Sequence, residues 1–208
     1  MGKTIIKAVV VGMLQTNCYF VYDEDRKEAV IVDPGANSIT IKGAVEQLGI
    51  KPVAILLTHA HADHIGGLQK VKEAYHIPVY IHEDEVQVLA DPTYNLSYQS
   101  YSLADDDVVV KDGQILELGG IKYKVIHTPG HTPGGCCYYI EDAAMLLAGD
   151  TMFRFSWGRT DFPGGSEEAL MRSIRERLLP LPPETMVYPG HEGATQICDE
   201  RRIHGYVE

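Results

Sequence analysis

The sequence has no pair of cysteines in a CxxC arrangement, and its four cysteines show no disulfide framework. We therefore predict reduced and mostly buried thiols at Cys18, Cys136, Cys137 and Cys198. No apolar run approaches the ~20 residues of a membrane-spanning helix, and no small-residue cleavage pattern of a signal peptide follows the N-terminus. These absences predict a soluble protein of the cytoplasm with no membrane partner.

Basic residues are also few. The chain has 18 lysines and arginines against 29 aspartates and glutamates, which gives a net charge of −11. Such a surface repels phosphate backbones, and no lysine and arginine cluster offsets it, so nucleic acid is not an expected partner. The length of 208 residues and the 45% hydrophobic content predict one globular domain over residues 1–208. The oligomeric state does not follow from these values.

Short apolar segments alternate with segments of helical periodicity. Strands are predicted at 4–14, 18–22, 29–32, 53–57, 78–81, 107–111, 115–118, 122–127, 136–140, 145–148 and 186–188, and helices at 38–48, around 65–71, at 83–89 and at 167–178. Two similar halves of this kind favour an α/β fold of two packed sheets with helices outside. The irregular stretch 91–106 carries Tyr94, Tyr98 and Tyr101, which either line a pocket or pack on the domain.

Three histidines and an aspartate follow the apolar segment VAILL in the sequence THAHADHIGG. Residues i and i+2 of an extended chain point to the same side, so His59 and His61 can bind one ion. Asp63 and His64 lie where the chain turns into a helix, and they can reach a second ion. Because two ions need about six to eight protein ligands, further ligands must come from downstream.

Three downstream candidates each follow a predicted strand: His131 in HTPGHTPGG, Asp150 in AGD and His191 in YPGH. Imidazole and carboxylate ligands without thiolate are typical of zinc, iron(II) or manganese. A carboxylate can bridge two ions, and Asp150 is the best-placed candidate. The sequence therefore predicts two divalent metal ions, with zinc preferred over iron or manganese. Four other histidines are predicted to be structural: His76, His82, His127 and His204.

These motifs, together with VDPG at 32–35, resemble those of the metallo-β-lactamase superfamily over residues 17–191. The resemblance implies an αββα sandwich, in which two mixed sheets carry helices on their outer faces and hold the metals between them at one edge. Within the superfamily the chain is similar to glyoxalase II-like hydrolases. The short bacterial members, which carry GRTDFPGG after the bridging aspartate, are the most similar, and here this motif occupies residues 158–165.

The resemblance also implies which residues hold each ion. The first metal would bind three histidines, namely His59, His61 and His131. The second metal would bind Asp63, His64 and His191, with Asp150 as the bridge, and Asp63 and Asp150 would be the catalytic carboxylates. Asp33 resembles the family's first-motif aspartate and would orient a ligand or a loop. Its alternative role is that of a turn residue at the end of a strand.

The reaction implied by this resemblance is hydrolysis by a hydroxide that the metals generate. Two neighbouring cations lower the pKa of a shared water from ~15.7 toward neutrality, and one also polarises the scissile carbonyl. No general acid is evident in the sequence. This favours a thioester, because a thiolate with a pKa near ~8.5 needs little protonation to leave. The predicted substrate is a small acyl-thioester resembling S-lactoylglutathione, and a lactone is an alternative.

Two departures from the family pattern concern the binding of glutathione. Full-length glyoxalase II enzymes carry a C-terminal helical extension that supplies much of the glutathione site, and this chain is expected to lack it because 17 residues follow His191. Gly193 stands where those enzymes commonly have a tyrosine. Arg159 is the predicted substrate-binding residue, as an anchor for a carboxylate, with a surface or salt-bridged arginine as the alternative.

Three other activities compete with thioester hydrolysis. A persulfide dioxygenase with one iron would use the subset His59, His131 and Asp150. A zinc β-lactamase of the commonest type would place cysteine at Asp150, which counts against it. A metal-binding protein without turnover ranks last, because it would keep seven ligand-type residues to no catalytic end.

Overall fold

A computed structural model describes residues 2–205, which form two six-stranded sheets. The first sheet contains, in spatial order, β1 (Thr4–Val11), β2 (Thr16–Asp23), β3 (Glu28–Val32), β4 (Lys51–Leu56), β5 (Val79–His82) and β6 (Val108–Val110). Strands β1 to β3 pair antiparallel through short turns, whereas β3 to β6 run parallel. Helical connections make this parallel half possible.

The second sheet is mostly antiparallel. Its strands are β7 (Ile115–Leu118), β8 (Ile121–His127), β9 (Cys136–Ile140), β10 (Met145–Gly149), β11 (Met186–Pro189) and β12 (Thr195–Gln196). The spatial order is β12-β11-β10-β9-β8-β7. Only β10 and β11 pair in parallel, so that both strands end at the same edge of the sheet. Both sheets are therefore mixed.

Helices cover the outer faces. They are α1 (Ser38–Leu48), α2 (Ala62–Ile65), α3 (Leu68–Tyr75), α4 (Val86–Ala90), α5 (Pro92–Asn95), α6 (Glu167–Ser173) and α7 (Ile197–Ile203). Two 3-10 turns, Glu83–Glu85 and Glu141–Ala143, and a π-helical turn, Ile174–Leu178, complete the regular structure. Among residues 2–205, no helix is both long enough and apolar enough to cross a bilayer.

The main core lies between the two sheets. Alternation along β8 buries Ile121, Tyr123 and Val125 and leaves Lys122 and Lys124 exposed. The buried tyrosine and valine pack in one cluster with side chains of the facing sheet. Each fully buried apolar side chain of this kind contributes about 1.5–3 kcal/mol to folding. Separate apolar clusters join each sheet to its own helices, so the predicted αββα sandwich is confirmed.

The structure departs from the predicted elements at both ends of the chain. β1 ends at Val11, because Gly12 adopts a positive φ of 71° and starts the turn to β2. β12 and α7 were not predicted, since the segment after His191 has little apolar periodicity. The four cysteines are free thiols, and three of them are buried as predicted.

Candidate metal centre

The predicted ligands lie at one edge of the sandwich, Asp63 and His64 in the short helix α2 and the others in loops. His59 and His61 follow β4, and His131 lies in the loop between β8 and β9. Asp150 and His191 follow the neighbouring parallel strands β10 and β11. Because the carboxyl ends of parallel strands meet at one edge, residues distant in the sequence come together there.

The first cluster consists of His59, His61 and His131. Each offers a ring nitrogen within 4.8 Å of the others. Nδ1 of His61 lies 2.9 Å from Nε2 of His131. All three side chains are buried. This is the set that the resemblance assigns to the first metal.

The second cluster consists of Asp63, His64 and His191, whose candidate ligand atoms also lie within 4.8 Å of one another. Oδ2 of Asp63 is 3.2 Å from Nε2 of His191 and 3.5 Å from Nε2 of His64. His64, which lies in α2, is fully buried, whereas Asp63 and His191 line an open cavity. This set matches the one assigned to the second metal.

Asp150 lies between the two clusters. Its Oδ2 is 3.5 Å from Nε2 of His131 in the first cluster and 3.5 Å from Nε2 of His191 in the second. Its Oδ1 is 3.3 Å from Nε2 of His64. One carboxylate therefore faces both clusters, which is the position that a bridging ligand requires.

Unpaired buried atoms show whether metal ions fit these residues. Within residues 2–205, Nε2 of His59 and Nε2 of His61 are buried and have no hydrogen-bond partner. Nε2 of His64 and Oδ1 of Asp150 are also buried, and they lie 3.3 Å apart without a hydrogen bond between them. Buried polar atoms without partners are costly and uncommon in folded proteins. Ions held by imidazole nitrogens and carboxylate oxygens would satisfy these atoms, and the absence of thiolate suits zinc, iron or manganese. The residues therefore fit a pair of divalent ions.

Asp33 holds His64 in place. Its Oδ2 lies 2.9 Å from Nδ1 of His64 and accepts a hydrogen bond from Oγ1 of Thr58 at 2.6 Å. Its Oδ1 accepts the backbone N–H of Thr58 at 2.8 Å. A carboxylate on one nitrogen of an imidazole fixes the ring so that the other nitrogen faces the metal. This contact fits the orienting role implied for Asp33, which is also a turn residue with a φ of 51°.

The other ligand side chains have orienting partners too. Nδ1 of His131 donates to the carbonyl of Arg159 at 2.7 Å, and Nδ1 of His191 donates to the carbonyl of Leu14 at 3.0 Å. Oγ1 of Thr16 donates to Oδ2 of Asp63 at 2.9 Å. Thr16 and these two carbonyls are contacts that sequence reasoning did not identify, because each depends on a loop distant in the sequence.

Charge divides the histidines of the centre into two kinds. Burial alone would lower the pKa of His64 and His191. The carboxylates of Asp150 and Asp33 nevertheless raise the pKa of His64. Those of Asp150 and Asp63 raise the pKa of His191. The pKa of His191 reaches about 10. In His61, burial and the neighbouring His131 lower the pKa to about 3. Without metal, the imidazoles of the second cluster are therefore protonated, whereas those of the first cluster are neutral.

Metal loading should therefore release protons. A ligand imidazole must be neutral, so ions can bind the second cluster only when His64 and His191 lose theirs. We expect Zn²⁺ binding to the chelator-treated protein to release at least these two protons at pH 7. Calorimetry in two buffers with different ionisation enthalpies measures this number. Release of fewer than one proton would contradict the arrangement, and the His191→Ala variant should release fewer than the unaltered chain.

A further group of potential ligands, His82, Asp84 and His127, lies outside the centre. The two imidazoles are stacked, with ring centroids 4.1 Å apart and an interplanar angle of 14°. Nε2 of His127 donates to the carbonyl of Pro133 at 2.9 Å. Imidazole lone pairs lie in the ring plane, so two parallel stacked rings do not direct them at one ion. The contacts agree with the structural role predicted for both histidines.

An open cavity of about 590 Å³ leads to the centre. Its apolar wall is formed by side chains from three loops, namely Leu14, Leu96, Phe153, Trp157 and Phe162. The tyrosines of the 91–106 stretch do not line it. Tyr94 and Tyr101 pack on the core, and Tyr98 is 97% exposed. The alternative in which these tyrosines pack on the domain is thus correct for two of them.

Arg159 lines the cavity, but its guanidinium is already engaged. Nε and Nη2 each donate to a carboxylate oxygen of Asp161 at 2.6 Å. The guanidinium also lies 4.0 Å above the ring of Phe162. The ion pair is exposed, so a substrate carboxylate would have to compete with Asp161. The anchoring role of Arg159 stays a prediction.

Glu85 is a buried acid near the centre that sequence reasoning missed. It ends the 3-10 turn after β5 and is fully buried. Burial raises the pKa of Glu85 to about 7, although hydrogen bonds from Ala60, Thr132 and Gly134 act in the opposite direction. Each donor is close in sequence to a histidine of the first cluster.

The pattern of ligands and sheets has counterparts among known proteins. A model of the metallo-beta-lactamase superfamily matches residues 11–191. The chain belongs to the metallo-β-lactamase superfamily. This membership places it among metallo-hydrolases with histidine and aspartate sites for metal.

Several known proteins resemble this chain over almost their whole length. Hydroxyacylglutathione hydrolase GloC of Haemophilus influenzae is 32% identical over 208 residues, covering 97% of each chain. The crystal structure of BLEG-1 B3 metallo-beta-lactamase superposes with a TM-score of 0.88 at 39% identity, covering 95% of this chain and 97% of that one. The crystal structure of TTHA1623 in a di-iron-bound form superposes with a TM-score of 0.84 at 35% identity, covering 95% of this chain and 98% of that one. The superfamily typically binds two metal ions, and these relatives leave the identity of the metal open.

Proposed function

We propose that the chain hydrolyses small acyl-thioesters at a centre of two divalent metal ions, with zinc as the preferred metal. The observation that carries the proposal is the position of Asp150, which faces both ligand clusters at the base of the cavity. Similarity to a hydroxyacylglutathione hydrolase supports the choice of a thioester. The free thiols and acidic surface support a cytoplasmic location.

The ions, when bound, would lower the pKa of a water to near neutrality and polarise the scissile carbonyl. The chain's own residues fix the geometry. Asp33 orients His64, and the carbonyl of Arg159 orients His131, so each ring is held before substrate arrives. The apolar wall of the cavity would pack against the acyl and thiol groups of the substrate.

The titratable side chains of the cavity indicate which kind of leaving group the reaction can expel. Among its lining residues, the titratable side chains are four members of the two clusters, together with Asp150 and Arg159. None of these is free to protonate a poor leaving group such as an amine, because the cluster residues would bind metal and Arg159 does not give up its proton at neutral pH. A thiol ionises near pH ~8.5 and can leave as the thiolate. The cavity thus favours a thioester over an amide.

The same cavity offers few groups to the rest of a glutathione molecule. Among the residues of 2–205 that line it, the one lysine or arginine is Arg159, which is paired with Asp161. A Cβ atom at Gly193 would meet no atom of residues 2–205 within 4 Å, so no neighbouring group fills the position where glyoxalase II enzymes commonly have a tyrosine. We propose that the acyl-thioester end is bound productively and that the glutathione tail is bound weakly.

The proposal is tested by comparing S-lactoylglutathione with the S-lactoyl ester of N-acetylcysteamine, which lacks the charged tail. We expect hydrolysis of both, with kcat/KM values within about tenfold, because each missing hydrogen bond is worth about 0.5–1.5 kcal/mol and affects mainly KM. A preference above a hundredfold for the glutathione ester would show that another surface binds the tail. Turnover of a lactone or of nitrocefin, with neither thioester hydrolysed, would overturn the proposal.

A persulfide dioxygenase is the second candidate. It is favoured by the contact between Asp150 and His131, which with His59 could hold a single iron. Hydrolysis needs no oxygen, whereas a dioxygenase consumes it. We therefore expect the thioesterase rate to be the same under nitrogen and in air. Loss of the best activity under nitrogen, with glutathione persulfide consumed in air, would replace hydrolysis by the dioxygenase.

A further inference from the structure

Glu85 joins the two loops that carry the first cluster. Its Oε1 accepts the backbone N–H of Ala60 at 2.8 Å. Its Oε2 accepts hydrogen bonds from Oγ1 of Thr132 and from the backbone N–H of Gly134, both at 2.9 Å. Three donors from two loops therefore meet on one fully buried carboxylate.

The positions of these donors relate Glu85 to all three histidines. Ala60 lies between His59 and His61, and Thr132 directly follows His131. The first loop leaves a strand of the first sheet, and the second loop joins two strands of the second sheet. Glu85 thus connects the sheets at the point where the first cluster is assembled.

The packing around Glu85 leaves little freedom. A Cβ atom on Gly134 would lie 2.2 Å from the backbone nitrogen of Glu85, so only glycine lets the second loop approach this closely. Within residues 2–205, this carboxylate forms no ion pair, and its partners are neutral donors. An apolar residue of similar size would fill the space at lower desolvation cost, but it could not accept three hydrogen bonds.

We propose that Glu85 is a positioning residue for the first cluster, setting the loop of His59 and His61 against the loop of His131 so that three imidazoles meet at one ion. This role rests on the two-metal centre of the proposed function and not on the identity of the substrate. A general structural role would instead affect both clusters and the whole fold alike.

Metal titration of chelator-treated Glu85→Gln protein at pH 8 tests this role, because Gln keeps the shape but turns one acceptor into a donor. Glu83→Gln is the matched control, since Glu83 lies on the same turn and is exposed. We expect Glu85→Gln to weaken one Zn²⁺-binding step about tenfold and to leave the other unchanged. The unfolding midpoint of the metal-free protein should shift by only a few degrees, and the control should match the unaltered chain.

Titrations of His61→Ala and His191→Ala assign each binding step to a cluster. The proposal requires that the weakened step be the one missing from His61→Ala. It is overturned if neither step changes, if the step lost in His191→Ala is the weakened one, or if both weaken equally with a lower unfolding midpoint. Should Glu85→Gln fail to fold, Thr132→Val removes one of the three hydrogen bonds and should weaken the same step about threefold. Absence of thioesterase activity would refute the proposed substrate without affecting these binding results.

Discussion

Replacing Asp150 by alanine is expected to reduce the metal content from two ions per chain to one or none and to lower turnover by about a thousandfold or more. The carboxylate lies within 3.5 Å of His64, His131 and His191, which belong to both clusters. Its removal leaves each cluster with three protein ligands and eliminates the carboxylate that faces both. Elemental analysis of the purified variant, with initial rates on the same sample, measures both effects.

Asp142→Ala is the matched control for this experiment. Asp142 is exposed and lies just before β10, whereas Asp150 follows the other end of the same strand. The control should keep both ions and the full rate. Two ions per chain and an unaltered rate in Asp150→Ala would refute the bridging assignment.

The second large effect is expected from Asp33→Asn. Asn tolerates the left-handed backbone conformation of this position, where φ is 51°, so the substitution changes the side chain with little backbone strain. It replaces the carboxylate that orients His64 by a neutral amide. We expect the affinity of the second cluster for Zn²⁺ to fall by about ten- to a hundredfold, the usual cost of losing a partner that orients a ligand.

Competition with a chromophoric chelator measures this affinity. Asp25→Asn makes the same chemical change on an exposed turn and should leave both affinities unaltered. If Asp33→Asn binds both ions as tightly as the unaltered chain, Asp33 serves only as a turn residue at the end of β3.

The fold and the ligand clusters could be predicted because their signals are local. HAHADH follows directly on a buried strand, and the downstream candidates each follow an apolar run, so strand ends alone place them at an edge. The resemblance supplied the distribution of ligands between the two ions. The sandwich itself followed from alternating strands and helices, whose core faces repeat within a few residues.

Glu85 could not be predicted for the opposite reason. It is the last of three consecutive acids in HEDE, and nothing in that segment distinguishes it from the exposed Glu83 and Asp84. Its burial depends on Gly134, which lies in another sheet's loop and allows the close approach. The residues of the cavity wall could not be predicted either, because their placement also depends on how distant loops meet. Leu96, which has a positive φ of 60°, lines the cavity, whereas Tyr94 packs on the core.

Each cluster draws its ligands from both sheets: His131 and His191 come from the second, and the remaining cluster residues from the first. An ion bound there is a cross-link between the halves of the sandwich, and it dissociates when either half unfolds. The apparent stability of the protein is then linked to the supply of free metal. An ion present at a hundred times its dissociation constant adds about 2.7 kcal/mol per site. The cell's metal supply would thus govern the lifetime of the folded chain as well as its activity.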